Sequence, residues 1–277
     1  MTSRRALTAG IGMAVAAALP ARAADSGYES TIERIRRTGV LRISVLPGEL
    51  PFFRKDLVTG EWSGAALRMA RSIADAIGAR LEYVEGTYGS SVLDLQANKV
   101  DLAFALQPTP ARALAIGFSR PYYMHPFAIV SRPDFPAVTW ADLNRPEMRV
   151  IVLTGTVLDP LLVRYAPKAT RVGVHNGDEA ILALRAGHGD CISYGLIQAL
   201  AAASKMPDFN RVVLIRDPVV ALPSGMGVQQ EPDRRFRDFL DCWSDYNNGA
   251  RVITGWIREA LLEMGVKPEA IPADAGL

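Results

Sequence analysis

The sequence predicts an α/β protein of two similar lobes, each a mainly parallel sheet flanked by helices. Three observations predict it. Short apolar strands alternate with amphipathic helices along most of the chain, the signature of βαβ units. One stretch of the first half, Leu95–Phe104, is echoed in the second half at Leu184–Ser193. The 277 residues, less a leader, suffice for two modest domains with their own cores.

The elements follow in order. The leader comes first: Arg4 and Arg5, an apolar run from Ala6 to Leu19, then Ala21-Arg22-Ala23. This is the three-part layout of a cleaved export signal, here 1–23, and the apolar run is too short to span a bilayer. Ser3-Arg4-Arg5-Ala6-Leu7 also resembles a twin-arginine signal, although paired arginines are common in ordinary export signals. "VLRISVL" (40–46) then reads as a strand. "GAALRMARSIADAIG" (64–78) reads as a helix with Leu67, Ala70, Ala74 and Ile77 on one face and a stop at Gly78. "RLEYV" (80–84) is a strand, "SSVLDLQAN" (90–98) a helix capped by Ser90 or Ser91, and "VDLAFAL" (100–106) a buried strand. A short helix with Arg112 in its first turn comes next. Beyond it, strands are expected at 149–153, 170–174, 190–194 and 211–215, and helices at 155–166, 178–187 and 195–205. Two further helices, near 232–247 and 250–264, close the chain.

In the echo, a helix end and a turn with Asn98 or Gly187 lead to an Asp that opens an apolar strand. Leu95 and Asp101 match Leu184 and Asp190 at the same offset. The two acids are expected to serve turns and caps. Ligands of such sheets bind beyond the carboxyl ends of the strands. The residues to weigh for a site are therefore 49–52, Tyr88, 107–112, 154–157 and 194–198.

Composition excludes several functions. The chain has 31 Lys and Arg against 29 Asp and Glu, but Arg4, Arg5 and Arg22 belong to the leader, leaving 28 against 29. A near-neutral chain lacks a nucleic-acid footprint. His125, His175 and His188 show no zinc-ligand spacing, and neither metal nor cofactor is expected. Cys191 and Cys242 are read as free, buried thiols rather than a disulfide scaffold.

Several segments in order resemble the extracytoplasmic solute-binding proteins of amino-acid ABC transporters, the family 3 type. They are "GVLRISV" with "LPFF", "TGEWSG", "VDLAFAL" through "TPARALAIGFSRPYY", "WADL", "VLTGT" and "ALRAGHGD". The resemblance spans about 31–265 and implies the type II two-lobed periplasmic-binding-protein fold with a two-strand hinge. By analogy, lobe 1 is 27–128 plus 222–277 and lobe 2 is 129–221, which separates the cysteines. It also implies a monomeric periplasmic receptor that passes a small carboxylated solute, amino-acid-like or an organic acid, to a membrane ABC permease, without catalytic residues.

Within that resemblance Arg112 is the arginine that grips the ligand carboxylate, a role suited to a rigid bidentate fork. The bare amides of Thr156 and Val157 at a helix start are expected to complete an anion site, with the Thr156 hydroxyl adding to it or simply capping the helix. Tyr88 stands where the family packs a side chain against the ligand, Gln107 where it has a small hydroxyl residue, and Thr154 and Tyr194 complete the expected ligand-binding set. Arg68, Arg71 and Arg120 are read as surface residues, and Phe52 and Phe53 as core and rim.

Two departures bear on the ligand. The Asp that holds an α-ammonium, five residues after the strand-opening acid of lobe 2, is Gly195 here. The aromatic residue expected just before the Pro-Phe turn is Glu49, an acid able to substitute for it. Two alternatives stay open: a periplasmic enzyme of the cyclohexadienyl dehydratase type, and a ligand-poor partner of a periplasmic quinoprotein dehydrogenase.

Overall fold

The computed structural model describes residues 28–273 and 275–277. The expected leader lies outside the described residues. An unforeseen helix, α1 (Thr31–Thr38), comes first, with a Ser30–Glu33 capping box and Gly39 in the left-handed region at its end. Its apolar positions are few, so periodicity did not reveal it. Strand β1 (Val40–Val45) follows. A hairpin of β2 (Arg54–Lys55) and β3 (Trp62–Ser63) leads to α2 (Ala65–Ile77), which ends on Gly78 at φ +68°. Then come β4 (Arg80–Glu85), α3 (Tyr88–Gln96), β5 (Leu102–Leu106), the single turn α4 (Pro110–Ala113) and β6 (Gly117–Phe118). The cap of α3 is Thr87, not Ser90 or Ser91: the Ser90 N–H donates to Thr87 Oγ1 at 3.1 Å and the Thr87 N–H to Ser90 Oγ at 2.9 Å. Ser90 is thus the returning half of a capping box.

Strand β7 (Tyr123–Ser131) leaves the first lobe and α5 (Trp140–Leu143) opens the second. There β8 (Arg149–Leu153), α6 (Leu158–Tyr165), β9 (Thr170–Val174), α7 (Gly177–Arg185), β10 (Cys191–Gly195), α8 (Leu196–Ser204) and β11 (Arg211–Leu214) alternate as expected. Strand β12 (Ala221–Val228) returns to the first lobe, and α9 (Arg235–Gly249) and α10 (Val252–Glu263) cover it.

The strand order β4-β1-β5-β12-β7-β10-β8-β9 contains two parallel groups, β4-β1-β5 and β10-β8-β9. The strands β7 and β12 join them: Tyr123–Pro126 pairs antiparallel with Ala221–Ser224. The rest of β7 pairs β10 and β11, and the rest of β12 pairs β5 and β6. Two lobes connected by a two-strand ribbon result. Both ribbon strands contain proline, which reads as strand punctuation and is tolerated where a ribbon has open edges.

The echoed acids are structural, as arginine clasps between neighbouring strands rather than the turn and cap residues expected. Asp101 is fully buried between Arg34 and Arg42; its Oδ2 accepts the Arg42 N–H at 2.8 Å and its Oδ1 the Arg42 Nη2 at 2.7 Å. Asp190 repeats this with Arg149, at 2.8 Å for both bonds. Asn98 and Gly187 occupy matching turns at φ +54° and +72°. The surface readings of Arg68 and Arg120 agree with their ion pairs to Glu259 and Asp245, and Phe52 and Phe53 are core residues. Both cysteines are free thiols; Cys191 is buried, but Cys242 is exposed, contrary to expectation, because it lies on the outward face of α9.

Candidate functional site

The loops after β1, β4 and β5 of the first lobe face those after β8 and β10 of the second, as expected for strand ends of α/β sheets. Between them lies a cavity of about 30 Å³, room for a water or two. In this conformation the lobes are drawn together over it. The first lobe lines the cavity with Glu49, Tyr88 and Gln107. The second contributes Leu153, Thr156, Val157, Leu158, Leu161, Tyr194, Gly195 and Gln198, and the ribbon region adds His125, Phe127, Val220 and Leu222.

Arg112 sits at the rim rather than in the cavity wall. Thr109 caps its single helical turn, and Pro110 presets the first helical φ. Its fork spans the cleft: Nη1 donates to the Gln107 carbonyl at 3.0 Å and Nη2 to the Gly155 carbonyl of the other lobe at 2.9 Å. Among the described residues it forms no ion pair, and burial lowers its pKa while the Tyr88 hydroxyl raises it. β5 reaches this rim through an irregular pairing with β12, with Ala105 at φ +58° and its N–H donating to the Tyr122 hydroxyl at 2.9 Å.

The turn after β8 differs from expectation. Both the N–H and the hydroxyl of Thr156 turn back to the Leu153 carbonyl, at 3.4 and 2.7 Å, and its Oγ1 accepts the Leu158 N–H at 3.3 Å. Thr156 is therefore a local cap and not a bare anion donor; α6 starts at Leu158, later than anticipated. A hydroxyl three residues beyond a carbonyl competes for local bonds in this way. Thr154 is exposed and gives both its N–H and hydroxyl to the Val174 carbonyl, at 2.9 and 3.1 Å, so it does not reach the cavity. Val157, Gln107, Tyr88, Glu49 and Tyr194 do line it, and Tyr194 donates weakly to the Gly177 carbonyl at 3.4 Å.

At the inner end, Glu49 is almost wholly buried and its Oε2 accepts the Tyr88 hydroxyl at 2.9 Å. Burial pushes its pKa up to about 7, against the bond from Tyr88, and Asp178 across the cleft adds to the rise. Burial first, then Glu49, pushes the Tyr88 hydroxyl well above its usual range; the Gln198 amide lies against the same hydroxyl. His125, paired with Leu222 in the ribbon, is buried with its ring edge-on to Tyr123 at 4.7 Å. Burial lowers its pKa to about 3, so the imidazole is neutral. Neither of its ring nitrogens nor Gln198 Oε1 has a partner among the described residues. A Cβ on Gly195 would lie 2.9 Å from His125 Nδ1 and 3.0 Å from Gln198 Oε1. The histidine and the glutamine occupy the space that a side chain at 195 would need.

His125 and Gln198 escaped the sequence reading. The histidine was weighed only as a metal ligand, and the strand that carries it was masked by Pro126. Gln198 does fall in the expected segment 194–198.

An α/β chain whose two lobes meet over a cleft and are joined by a two-strand ribbon has the architecture of a hinged solute-binding protein. The chain matches the bacterial extracellular solute-binding proteins, family 3, over residues 41–268, and belongs to that family. The virulence sensor protein BvgS of Bordetella pertussis is 30% identical over 162 residues, which are 58% of this chain and only 13% of the sensor. The glutamine-binding protein of Geobacillus stearothermophilus is 23% identical over 210 residues, 74% of this chain and 79% of that protein. The fold is that of the ancestral amino acid-binding protein AncCDT-1, a precursor of cyclohexadienyl dehydratase, with a TM-score of 0.74 at 24% identity, covering 86% of this chain and 100% of that one.

Proposed function

We infer that the protein is the periplasmic receptor of an ABC uptake system, a monomer that closes its lobes, 27–128 plus 222–277 and 129–221, on a small carboxylate-bearing solute and delivers it to a membrane permease. The observation that carries this reading is the Arg112 fork, which bridges the lobes through backbone carbonyls at 3.0 and 2.9 Å while free of any acid among the described residues. A carboxylate is the stronger, charge-assisted acceptor and takes the place of those carbonyls. An anion held by Arg112 and enclosed by the second lobe favours the closed state by its differential affinity. The names of the glutamine-binding and amino-acid-binding relatives support a solute of that size. The leader at 1–23 supports export, by the general or the twin-arginine route. No cofactor takes part, and binding alone is the activity.

Isothermal titration tests the reading, with the solute identified by a thermal-shift screen of amino acids, amines and organic acids. Arg112→Ala weakens binding by about 2–4 kcal/mol; an unchanged affinity refutes the role. One observation favours a second reading. Glu49, buried with a pKa of about 7, is suited to proton transfer in the manner of a dehydratase. Product formed from prephenate or arogenate would replace the receptor with that enzyme.

A further inference from the structure

The family's ammonium-binding acid is absent at Gly195, yet the inner end of the cleft is dense in hydrogen-bond acceptors. Glu49 offers a carboxyl whose only side-chain donor among the described residues is the Tyr88 hydroxyl, at 2.9 Å. Gln198 Oε1 is buried without a partner, beside the position where a Gly195 Cβ would stand. The neutral imidazole of His125 always presents one bare ring nitrogen as an acceptor, and both its nitrogens are unpartnered. Among the described residues no lysine or arginine lines this cavity. The buried acceptors of Gln198 and His125 lack partners among the described residues, which is costly unless donors arrive, and beside them stands a carboxyl that can take up a negative charge. A primary ammonium brings three N–H donors and one positive charge.

We propose that Glu49, Gln198 and His125 form a relocated amine subsite, drawn from the first lobe, the second lobe and the ribbon, which replaces the acid missing at position 195. This rests on the receptor reading above. The Tyr88 hydroxyl, bonded to Glu49, and Gln107, whose carbonyl accepts from Arg112, line the same cavity and tie this subsite to the rim where Arg112 stands. On the receptor reading the solute is therefore zwitterionic, carrying an amine as well as a carboxylate. Its third part is apolar: Phe127, Leu153, Val157, Leu158, Leu161 and Leu222 form one wall of the same cavity. The glycine at 195 is part of the device, because any side chain there would displace the imidazole that takes over its role.

The test is calorimetry on ligand-stripped protein with matched pairs: L-leucine and its 2-hydroxy analogue, L-phenylalanine and phenyllactate, γ-aminobutyrate and butyrate. The amine member of at least one pair binds ten-fold or more tightly than its partner. In Glu49→Gln, which keeps an acceptor for Tyr88 but drops the charge, that preference falls below three-fold. Gln198→Met lowers amine affinity about five-fold and leaves the deaminated partner unchanged. Equal or tighter binding of the deaminated acids, or an amine preference that survives Glu49→Gln and Gln198→Met, overturns the inference and leaves the receptor standing. If neither these pairs nor a broad panel of amino and organic acids binds the wild type, the receptor reading itself falls and the subsite with it.

Discussion

The two lobes share a frame and part company at the cleft. At the start of β5, Asp101 clasps Arg42, whose guanidinium also donates to Asn98 in the turn; at the start of β10, Asp190 clasps Arg149, whose guanidinium donates to the Gly187 carbonyl, with nearly the same bond lengths. At the opposite ends of the strands the likeness stops. The first lobe brings Glu49 and Arg112 to the cleft, while the second lines the cavity with neutral and apolar groups such as Leu153, Val157, Leu158 and Leu161. A repeated scaffold is constrained where strands begin and open to change where they end. Closure then sets a charge-bearing face under an apolar lid, and excluding water strengthens every interaction beneath it.

The largest effect separates the two clasps. The Asp101 side chain is fully buried between two arginines, whereas Asp190 and Arg149 are 22% and 44% exposed. Removing Asp101 strands buried positive charge, so Asp101→Ala destabilises by about 3–5 kcal/mol. The solvated pair loses about 1 kcal/mol or less in Asp190→Ala. Urea unfolding of both variants measures the gap; equal losses would show that the lobes are not graded by burial.

The next effect concerns the charged face alone. Glu49 has a pKa near 7 when folded and an ordinary value of 4.5. A carboxyl raised in this way contributes stability that is complete below pH 4.5 and lost as pH rises through 7. The loss is worth about 3 kcal/mol at 1.36 kcal/mol per unit. Glu49→Gln cannot ionise, so the ligand-free variant is more stable than wild type by about 2–3 kcal/mol at pH 8 and matches it near pH 4. The facing groups leave this difference intact: Tyr88 and Tyr194 are pushed up out of the range, and His125, which stays neutral above about pH 3, is common to both proteins, as is Asp178. Melting curves from pH 4 to 8 check it. A variant gain that does not change with pH would mean that Glu49 is solvated and the inner face carries no stored charge.

Most of the βαβ frame was legible because it rests on periodicity: buried strands such as 102–106 and helices ended by glycine, such as α2, announce themselves locally. The echo of Leu95–Phe104 in Leu184–Ser193 foretold two similar lobes, though not the arginines that its acids hold. The ribbon strands β7 and β12 were not legible, since their pairing is between residues about a hundred positions apart and prolines interrupt both. At the site, Arg112 and Glu49 stood out by departing from or matching a motif. His125 did not, because its meaning depends on the absence of a side chain at Gly195, a relation that exists only in three dimensions. Thr154 does not reach the cavity, and Thr156, which lines it, spends its hydroxyl on the capping role given as its alternative, for a related reason. A hydroxyl in a turn is claimed first by the nearest carbonyl, and spacing alone does not say which way it faces.

The smallest effect tests whether the lid fits the face beneath it through backbone alone. On the side of the cleft away from Arg112, a Cβ added to Gly177 would meet the Gly48 carbonyl at 3.0 Å. Gly177 is the first residue of α7 with no positive φ, so alanine suits its helix and the second lobe keeps or gains stability. Only closure suffers. Gly177→Ala lowers solute affinity by about 1 kcal/mol, roughly five-fold, and widens the ligand-free molecule in small-angle scattering, with an unchanged or higher melting temperature. Gly155 is the control, since a Cβ there would meet nothing within 4 Å, although its φ of +77° charges alanine with local strain instead. If Gly177→Ala bound solute as tightly as wild type, the lobes would be meeting through the solute and Arg112 rather than through the opposed glycines, and the two faces would be matched by chemistry without being matched in shape.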